Sequence, residues 1–452
     1  ALSGHPALKA VSPQAPVTEW FIGDDFHHNG AFFQMDAFGF YTGFGKPRPK
    51  PTTTGPSGFE FGTDDNYAFY LRNSPLQKLT NLMGDSIAFW KDLMSHPDYD
   101  AFWKARNPRN FVTDVKPAML TVGGLFDAED CFGAWNLYKA IETKSRNTNN
   151  RLVMGPWYHG QWASNDGSHL GHVEFGSNTS AWYQNNIEIP FFNYYLKGKG
   201  KDPALAEATI FFSGENNWKQ FPSWPPATTE NRTLFFQADG KLSWQKPVTR
   251  NSYSEYISDP AKPVPYTEDV HLGRTAEYML DDQRFASRRP DVLVYQTDIL
   301  TEDITFAGPV IADLMTSIST TDADFVVKLI DVFPDDHKNV NNPSHYPMGG
   351  YQMLIRGEIM RARYRKSFEQ PSAFVPNKID QVRYQLPDVA HTFKTGHRIM
   401  IQVQSSWFPL ADRNPQKFVN IYQANGNDFQ KSTIRIFHDA VNASGLVVPV
   451  LK

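Results

Sequence analysis

The sequence has almost no cysteine and no long apolar run. Cys131 is the only cysteine among 452 residues, so the chain cannot close an internal disulfide or build a cysteine-rich zinc site. No stretch approaches the roughly 18 consecutive apolar residues that a membrane helix needs. Lys and Arg total 44 against 48 Asp and Glu, and neither sign gathers into a block. These absences argue against a disulfide-stapled domain, a membrane partner and a nucleic-acid partner.

The sequence does contain enough apolar residues for large cores. Hydrophobic residues make up 40% and aromatic residues 14% of the chain, which excludes global disorder. A length of 452 residues predicts two or three domains, because a domain typically has roughly 100–200 residues.

The chain divides into three zones that differ in composition and residue pattern. Residues 1–40 and 108–204 contain short apolar strands separated by a helical pattern, which predicts a parallel sheet covered on both faces. Residues 41–107 open with a Pro- and Thr-rich stretch and continue with helical periodicity, so we expect a helical insertion, or cap. Residues 205–452 alternate β-branched and aromatic runs with turn residues, which predicts a β-sandwich or jelly roll. The predicted fold class is α/β plus all-β.

Two predicted loops carry residues typical of hydrolytic chemistry. Asp127 follows an apolar strand at 117–124, and His159 follows the next strand, at 151–155, in the segment GPWYHG. Because loops at the carboxyl ends of neighbouring parallel strands converge, we expect these two side chains to meet. A carboxylate on one ring nitrogen fixes the tautomer of a histidine, while the other nitrogen takes a proton from a nucleophile. The pair is two thirds of a triad, in the order found in α/β-hydrolases.

The third member of such a triad, a serine in a Gly-x-Ser-x-Gly elbow, is absent from the sequence. Ser86 comes nearest, but it lies in the helical zone with no strand before it, and Asp85 or Ser86 capping a helix is the alternative interpretation. Residues 1–10 have the pattern of a helix end that runs into a buried strand. We therefore expect the chain to begin inside a domain, with the nucleophile upstream of Ala1. Such a truncated chain is expected to be inactive and poorly stable.

Longer segments resemble one family of serine hydrolases. The similarity is carried by LTVGGLFDAEDCFGAWNLYKAIE, GPWYHGQW, WFIGDDFHHNGAF, PDVLVYQTDILTEDITFAGPV and LPDVAHTFKTGHRIMIQVQSSWFP. These are similar to the family that contains α-amino acid ester hydrolases, cocaine esterases, cephalosporin acylases and X-prolyl dipeptidyl aminopeptidases. The resemblance covers nearly the whole chain and implies an incomplete α/β-hydrolase domain with an inserted helical cap, followed by a C-terminal jelly-roll β-sandwich. It also implies that Asp127 and His159 are members of a catalytic triad.

Within that family, the resemblance points to the α-amino acid ester hydrolases. These enzymes are marked by carboxylates that receive the substrate's α-ammonium group, and the matching residues are Glu129, Asp130 and one acid of GDD, Asp25 rather than Asp24. At an effective dielectric near 20, each close contact with an ammonium is worth on the order of a few kcal/mol before desolvation. The implied substrates are small esters or amides of α-amino acids, including β-lactam antibiotics, converted through an acyl-enzyme. The resemblance implies no cofactor and no metal.

Other interpretations stay open. An X-prolyl dipeptidyl-peptidase or a general carboxylesterase of the same family is the alternative activity. A non-catalytic binding or structural protein is the alternative from another class, because no nucleophile is present. Asp127 could serve only as a helix cap, and His27 and His28 beside Asp24 and Asp25 could form a metal site. Analogy with exported relatives implies a periplasmic or extracellular location, and a homo-oligomer is left open.

Overall fold

The computed structural model describes residues 4–55, 57–338 and 345–452. Helices and short strands alternate in the first half of the chain. In chain order the elements are β1 (Ala10–Val11), β2 (His27–His28), β3 (Ala31–Phe32), α1 (Gln34–Gly43), α2 (Asn66–Arg72), α3 (Leu76–Met83), α4 (Ala88–Ser95), α5 (Ala101–Lys104), β4 (Ala118–Gly124), α6 (Cys131–Lys144), β5 (Asn150–Gly155), α7 (Gln161–Ser164), β6 (His169–Leu170), β7 (Val173–Glu174), α8 (Thr179–Tyr183), a π-helical turn (Gln184–Glu188), α9 (Ile189–Lys197), β8 (Ala208–Phe212) and β9 (Asn217–Phe221).

The second half consists mainly of strands. They are β10 (Thr229–Phe236), β11 (Leu242–Ser243), β12 (Tyr253–Ser258), the short helix α10 (Arg284–Ser287), β13 (Leu293–Gln296), β14 (Ile304–Ile318), β15 (Asp324–Val332), β16 (Gln352–Arg361), β17 (Asp380–Phe393), β18 (Arg398–Gln404), β19 (Ser432–Phe437) and β20 (Gly445–Leu451). Short 3-10 turns lie at Pro108–Asn110, Ala238–Gly240, Glu277–Leu280, Ala362–Tyr364, Ile421–Gln423 and Gly426–Asp428.

A five-stranded sheet organises the first half. Its order is β1-β4-β5-β8-β9, with parallel pairing up to β8 and antiparallel pairing between β8 and β9. Every residue of β4 is buried, as its continuous apolar run requires for a strand covered on both faces. Helix α6 follows β4 and packs on the sheet beside β5. The predicted combination of an α/β sheet with an all-β C-terminal part is confirmed.

The helices α1 to α5 lie between β3 and β4. Helix α1 begins at Gln34, before the predicted cap boundary at residue 41. The helical periodicity is interrupted at Gly84, because its φ of +68° ends α3 before α4 begins. Helix α4 begins after Ile87, which occupies the N-cap position without a side-chain cap among the described residues, so the capping role expected for Asp85 or Ser86 was wrong.

Two antiparallel sheets form the C-terminal part. One has the order β11-β10-β20-β14-β19-β12, with β17 also paired to β14, and the other has the order β13-β18-β15-β16. The long strands β14, β15, β16 and β17 pack a large apolar core between them. A jelly-roll classification of this part stays a prediction.

Three features differ from the sequence expectations or extend them. Strands β8 and β9 lie after the predicted boundary at residue 205, yet they hydrogen bond within the sheet of β4 and β5. Residues 4–9 contain a turn and no helix, and residues 1–3 lie outside the described part, so the expected helix end is not found. Among the described residues, none of the helices has both the length and the hydropathy to cross a bilayer.

Candidate active site

The structure brings Asp127 and His159 together at the carboxyl ends of β4 and β5. Gly124 and Gly155 pair at the last position of the two strands. Beyond the strands, the backbone N–H of Phe126 donates to the carbonyl of Trp157 at 3.1 Å. A Cβ at Gly124 would lie 2.1 Å from that same carbonyl oxygen, so only glycine allows this close approach. The two loops therefore leave the sheet side by side.

A hydrogen bond joins the acid to the imidazole. Oδ2 of Asp127 accepts a hydrogen bond from Nδ1 of His159 at 3.2 Å. The Asp127 side chain is fully buried, whereas the His159 side chain is 42% exposed. Within the described residues, no hydrogen bond reaches Nε2 of His159. Only the histidine of this pair can therefore contact a substrate, and its free nitrogen is the one that can take a proton.

The other oxygen of Asp127 organises the turn into α6. Oδ1 accepts the backbone N–H groups of Glu129 at 2.9 Å and Asp130 at 3.1 Å. Asp130 is the residue that precedes the first turn of α6, where a negative charge is favoured by the helix dipole. Asp127 therefore shapes the turn before α6 and orients His159. The N-cap position of α6 is Asp130, so the interpretation of Asp127 as the helix cap was wrong.

Two further carboxylates face the same imidazole nitrogen. Oδ2 of Asp130 lies 3.5 Å from Nδ1 of His159, and Oε2 of Glu129 lies 3.8 Å from it. Oδ1 of Asp130 is buried and has no hydrogen-bond partner in the part of the chain that the structure describes. Asp25 is tied to this turn, because its backbone N–H donates to the Glu129 carbonyl at 3.2 Å. The Trp20 indole donates to Oδ2 of Asp25 at 2.9 Å.

The crowding of carboxylates perturbs the titration of the site. Burial, with the repulsion of Glu129 next among the raising causes, raises the pKa of Asp25 to about 6. Burial and the nearby charges of Asp25 and Asp127 hold the pKa of Asp130 well above its usual value. The hydrogen bond that His159 donates to Asp127, with the charges of Asp127 and Glu129 in addition, raises the pKa of His159 to about 9. The carboxylates of the site therefore lack enough positive charge nearby to neutralise them.

The neighbouring Asp24 holds the loop that precedes it by hydrogen bonds. Its Oδ2 accepts the backbone N–H of Thr18 at 2.7 Å, the Thr18 hydroxyl at 3.1 Å and the backbone N–H of Glu19 at 2.9 Å. Asp24 is fully buried against Gly133 of α6, and burial raises its pKa to about 7. Asp25, in contrast, lines the cavity, which agrees with the sequence preference for Asp25 over Asp24.

A cavity of about 680 Å³ opens beside His159. Its charged lining comprises four acids and two bases, namely Asp25, Asp36, Glu129, Asp130, His159 and Arg274. Much of the remaining lining is apolar or aromatic, including Phe26, Met35, Phe40, Phe61, Tyr70 and Leu272. The excess of carboxylates suits a ligand that carries a positive group next to an apolar one.

Sequence reasoning missed two of the charged lining residues, Asp36 and Arg274. Nε of Arg274 donates to Oδ1 of Asp36 in α1 at 2.8 Å, and the guanidinium also contacts Oε1 of Glu129. Arg274 lies in the loop before the 3-10 turn Glu277–Leu280, in the C-terminal half of the chain. An isolated arginine more than one hundred residues from its partners has no local pattern that could reveal it.

The histidines of the GDDFHH segment have other partners. Nδ1 of His27 bonds the Trp20 carbonyl at 2.9 Å, and Nε2 of His27 bonds the Tyr422 hydroxyl. His28 pairs with Glu358 at 3.0 Å. The two rings therefore serve packing and ion pairing on different sides, and the metal site considered for this segment is not formed.

One group of described side chains has spacing compatible with an ion. Polar atoms of Glu129, Asp130 and His159 all lie within 4.8 Å of one another. Nδ1 of His159, however, already bonds Asp127, and the Arg274 guanidinium already contacts Glu129. These engaged donors and acceptors do not match a free ligand set, so we assign no metal here.

Ser86 does not take part in this site. It lies exposed in the turn between α3 and α4, and it is not among the residues that line the cavity. The structure therefore gives no support to Ser86 as the nucleophile.

The fold and the Asp–His pair are typical of α/β-hydrolases that carry an all-β C-terminal domain. Residues 1–161 match the profile of the X-Pro dipeptidyl-peptidase S15 family. Residues 193–446 match the profile of the X-Pro dipeptidyl-peptidase C-terminal non-catalytic domain. The chain therefore belongs to the family of cocaine esterases and X-Pro dipeptidyl-peptidases, the S15 family.

Solved structures and a curated relative agree with this membership. The chain is 38% identical to an aminopeptidase from the marine sediment archaeon Thaumarchaeota archaeon, with a TM-score of 0.92 over 99% of this chain and 73% of the other. It is 36% identical to an α-amino acid ester hydrolase, with the same TM-score and coverage. It is 28% identical over 372 residues to the cocaine esterase of a Rhodococcus species, covering 80% of this chain. The chain spans only 61% of the length of that esterase.

Proposed function

We propose that this chain supplies the acid, the base and the ammonium-binding carboxylates of a serine hydrolase that acts on esters or amides of α-amino acids. The observation that carries the proposal is the hydrogen bond between Asp127 and His159 at the edge of an acidic cavity. His159 takes the proton of a seryl hydroxyl on Nε2, while Asp127 holds the Nδ1 proton and stabilises the imidazolium. The serine forms an acyl-enzyme, which water or an amine then resolves.

The nucleophilic serine is proposed to lie in sequence encoded before residue 1. The chain contains no Gly-x-Ser-x-Gly elbow, and in the described residues no hydroxyl bonds Nε2 of His159. On this proposal, residues 1–452 alone bind substrates but do not hydrolyse them. If no strand, elbow and helix are encoded upstream, a non-catalytic binding protein becomes the better interpretation.

The position of the acids favours a substrate with an α-ammonium group. The α-nitrogen of an amino acid lies about 2.5 Å from its carbonyl carbon, given standard bond lengths and angles. A cation site for such a substrate must therefore adjoin the base, as Glu129 and Asp130 do at 3.8 and 3.5 Å from Nδ1 of His159. An ammonium has three donors, and Asp25, Asp130 and Glu129 offer acceptor oxygens, with Arg274 contacting Oε1 of Glu129 and Oε2 facing His159. The likeness to an α-amino acid ester hydrolase supports the same substrate class, in which we include β-lactams with an α-amino acyl group.

A dipeptidyl-peptidase activity is the second candidate, favoured by the family profile. In a dipeptidyl substrate, however, the free ammonium lies one residue further from the scissile carbonyl, up to about 3.6 Å more in an extended chain. Carboxylates placed immediately beside the imidazole suit the shorter substrate better.

Kinetics on matched esters test the proposal. The protein extended by its upstream sequence should hydrolyse phenylglycine methyl ester at least about 100-fold more efficiently than phenylacetic acid methyl ester, since about 3 kcal/mol of ion pairing is lost without the amine. The comparison is made at pH 6.5, where an α-amino group is mostly protonated. Equal kcat/KM values for the two esters would contradict the proposed ammonium site.

Two substitutions test the catalytic pair in the same protein. His159→Asn and Asp127→Asn should each lower kcat by several orders of magnitude, as loss of triad members does. His169→Asn, which changes an exposed histidine of β6 outside the cavity, is the matched control and should leave kcat unchanged. Full activity in His159→Asn would contradict the proposal.

A further inference from the structure

We propose that Glu129 and Asp130 have a second role: they keep His159 protonated, and therefore non-basic, until the substrate's ammonium group neutralises them. Binding of a cationic substrate would thus create the active base. The inference rests on the proposed function, because it requires an ammonium group to bind beside these two acids.

The geometry has more carboxylate than an ordinary acid–base pair needs. A triad requires one carboxylate on Nδ1, and Asp127 supplies it at 3.2 Å. Asp130 and Glu129 add two further oxygens at 3.5 and 3.8 Å from the same nitrogen. Carboxylates at this range favour the charged form of an imidazole. The pKa of His159 is raised to about 9, with the Asp127 hydrogen bond as the largest cause and the charges of Asp127 and Glu129 as further causes.

The charged groups around His159 come from three parts of the fold. The turn between β4 and α6 carries three acids, the loop before β2 carries one acid, and the loop before Glu277–Leu280 carries one base. They are Asp127, Glu129, Asp130, Asp25 and Arg274. Asp36 of α1 lines the same cavity and also pairs with Arg274, so five carboxylates share one guanidinium, which contacts Glu129 and Asp36. A protonated imidazole is the second cation of the free site.

The proposed exchange conserves the charge of the cavity. An ammonium group enters between Asp25, Glu129 and Asp130 and replaces the imidazolium as the second cation. His159 then releases its Nε2 proton to solvent and keeps its Nδ1 proton on Asp127. The freed Nε2 lone pair is what a seryl hydroxyl requires for deprotonation. A neutral substrate leaves the imidazole protonated, so selection for the amine acts on kcat as well as on KM.

Histidine titration by NMR on residues 1–452 tests the inference without requiring turnover. The probe pair is 1-phenylethylamine and 1-phenylethanol, which differ only in the ammonium and hydroxyl groups. The benzylic ammonium of the amine is less basic than the ammonium of lysine and begins to lose its proton near pH 9, so the titration with the amine is evaluated at about pH 8 and below, where the ligand is charged. The His159 resonance, assigned by its loss in His159→Asn, is followed from pH 5 to pH 9 with no probe and with each probe at saturation. We expect the amine to lower the His159 pKa by at least one unit and the alcohol to leave it unchanged.

The outcomes separate the inference from the function on which it rests. Binding of the amine with an unchanged His159 pKa would overturn the inference and leave the proposed function standing. Failure of the amine to bind would overturn both. Glu129→Gln should lower the pKa of His159 in the free protein and should reduce the further decrease of that pKa when the amine binds. If Glu129→Gln does not fold, Asp130→Asn is used in its place. Glu230→Gln, which changes an exposed acid of β10, is the control and should behave as wild type.

Discussion

Replacing Asp25 with asparagine should stabilise the folded chain at pH 8 and weaken its binding of an ammonium ligand. Asp25 has φ +50°, a conformation that asparagine tolerates as readily as aspartate. Its Oδ2 accepts the Trp20 indole N–H at 2.9 Å, and an amide oxygen can accept the same bond. The substitution therefore removes one negative charge with little change of shape.

The size of the effect follows from the pKa of Asp25. Burial raises that pKa from 3.8 to about 6, so the folded state binds the proton more tightly than the unfolded state does. The ionised carboxylate therefore costs folding free energy that grows as the pH rises from 3.8 to 6 and is constant above. At 1.36 kcal/mol per pKa unit the cost is at most about 3 kcal/mol. The protonation of the neighbouring acids changes when Asp25 is replaced, so the full value is not reached. We expect Asp25→Asn to increase the free energy of unfolding by about 1–3 kcal/mol at pH 8 and by little at pH 4.

Urea unfolding at pH 4, 6 and 8 measures this gain. Asp85→Asn is the matched control, because Asp85 is an exposed acid paired with Lys91 and its substitution should bring no gain. A gain that is equal at pH 4 and pH 8 would show that packing, not charge, is responsible. A loss of stability at pH 8 would refute the reasoning. In parallel, Asp25→Asn should bind 1-phenylethylamine about tenfold more weakly, as the loss of about 1.4 kcal/mol of ion pairing predicts.

Three further substitutions test other parts of the site. Asp24→Ala should destabilise the chain by about 2–4 kcal/mol in urea unfolding at pH 5.5, because three donors lose their acceptor; an unchanged midpoint would contradict its structural role. Asp127→Asn should lower the NMR pKa of His159 by at least one unit, since it removes the largest cause of the rise; a pKa still near 9 would contradict that cause. Arg274→Gln should raise the NMR pKa of His159, because the positive guanidinium disfavours a protonated imidazole; a lower pKa in this variant would contradict that cause.

The sequence predicted the parts of the site that are local in the chain. Asp127 follows β4 and His159 follows β5, and the parallel pairing of those strands is implied by the strand, helix and strand order. Glu129 and Asp130 are fixed relative to Asp127 by one turn. A short sequence separation combined with a topological rule was therefore sufficient to place these residues at one sheet edge.

Long-range contacts could not be predicted in the same way. Arg274 reaches Asp36 and Glu129 from the C-terminal half of the chain, and no spacing or periodicity links these positions. The sequence boundary at residue 205 likewise separates β8 from the sheet to which it hydrogen bonds. Both features depend on how the C-terminal part packs against the α/β sheet, which is a property of the tertiary fold and not of any local segment.

Calorimetric titration of residues 1–452 with 1-phenylethylamine and with 1-phenylethanol at pH 7 tests the central claim most directly. If the carboxylates beside His159 form an ammonium site, the amine should bind at least about tenfold more tightly than the alcohol, and Glu129→Gln should narrow the difference. Equal affinity for the two compounds, or an advantage that survives removal of the acids, would contradict the account.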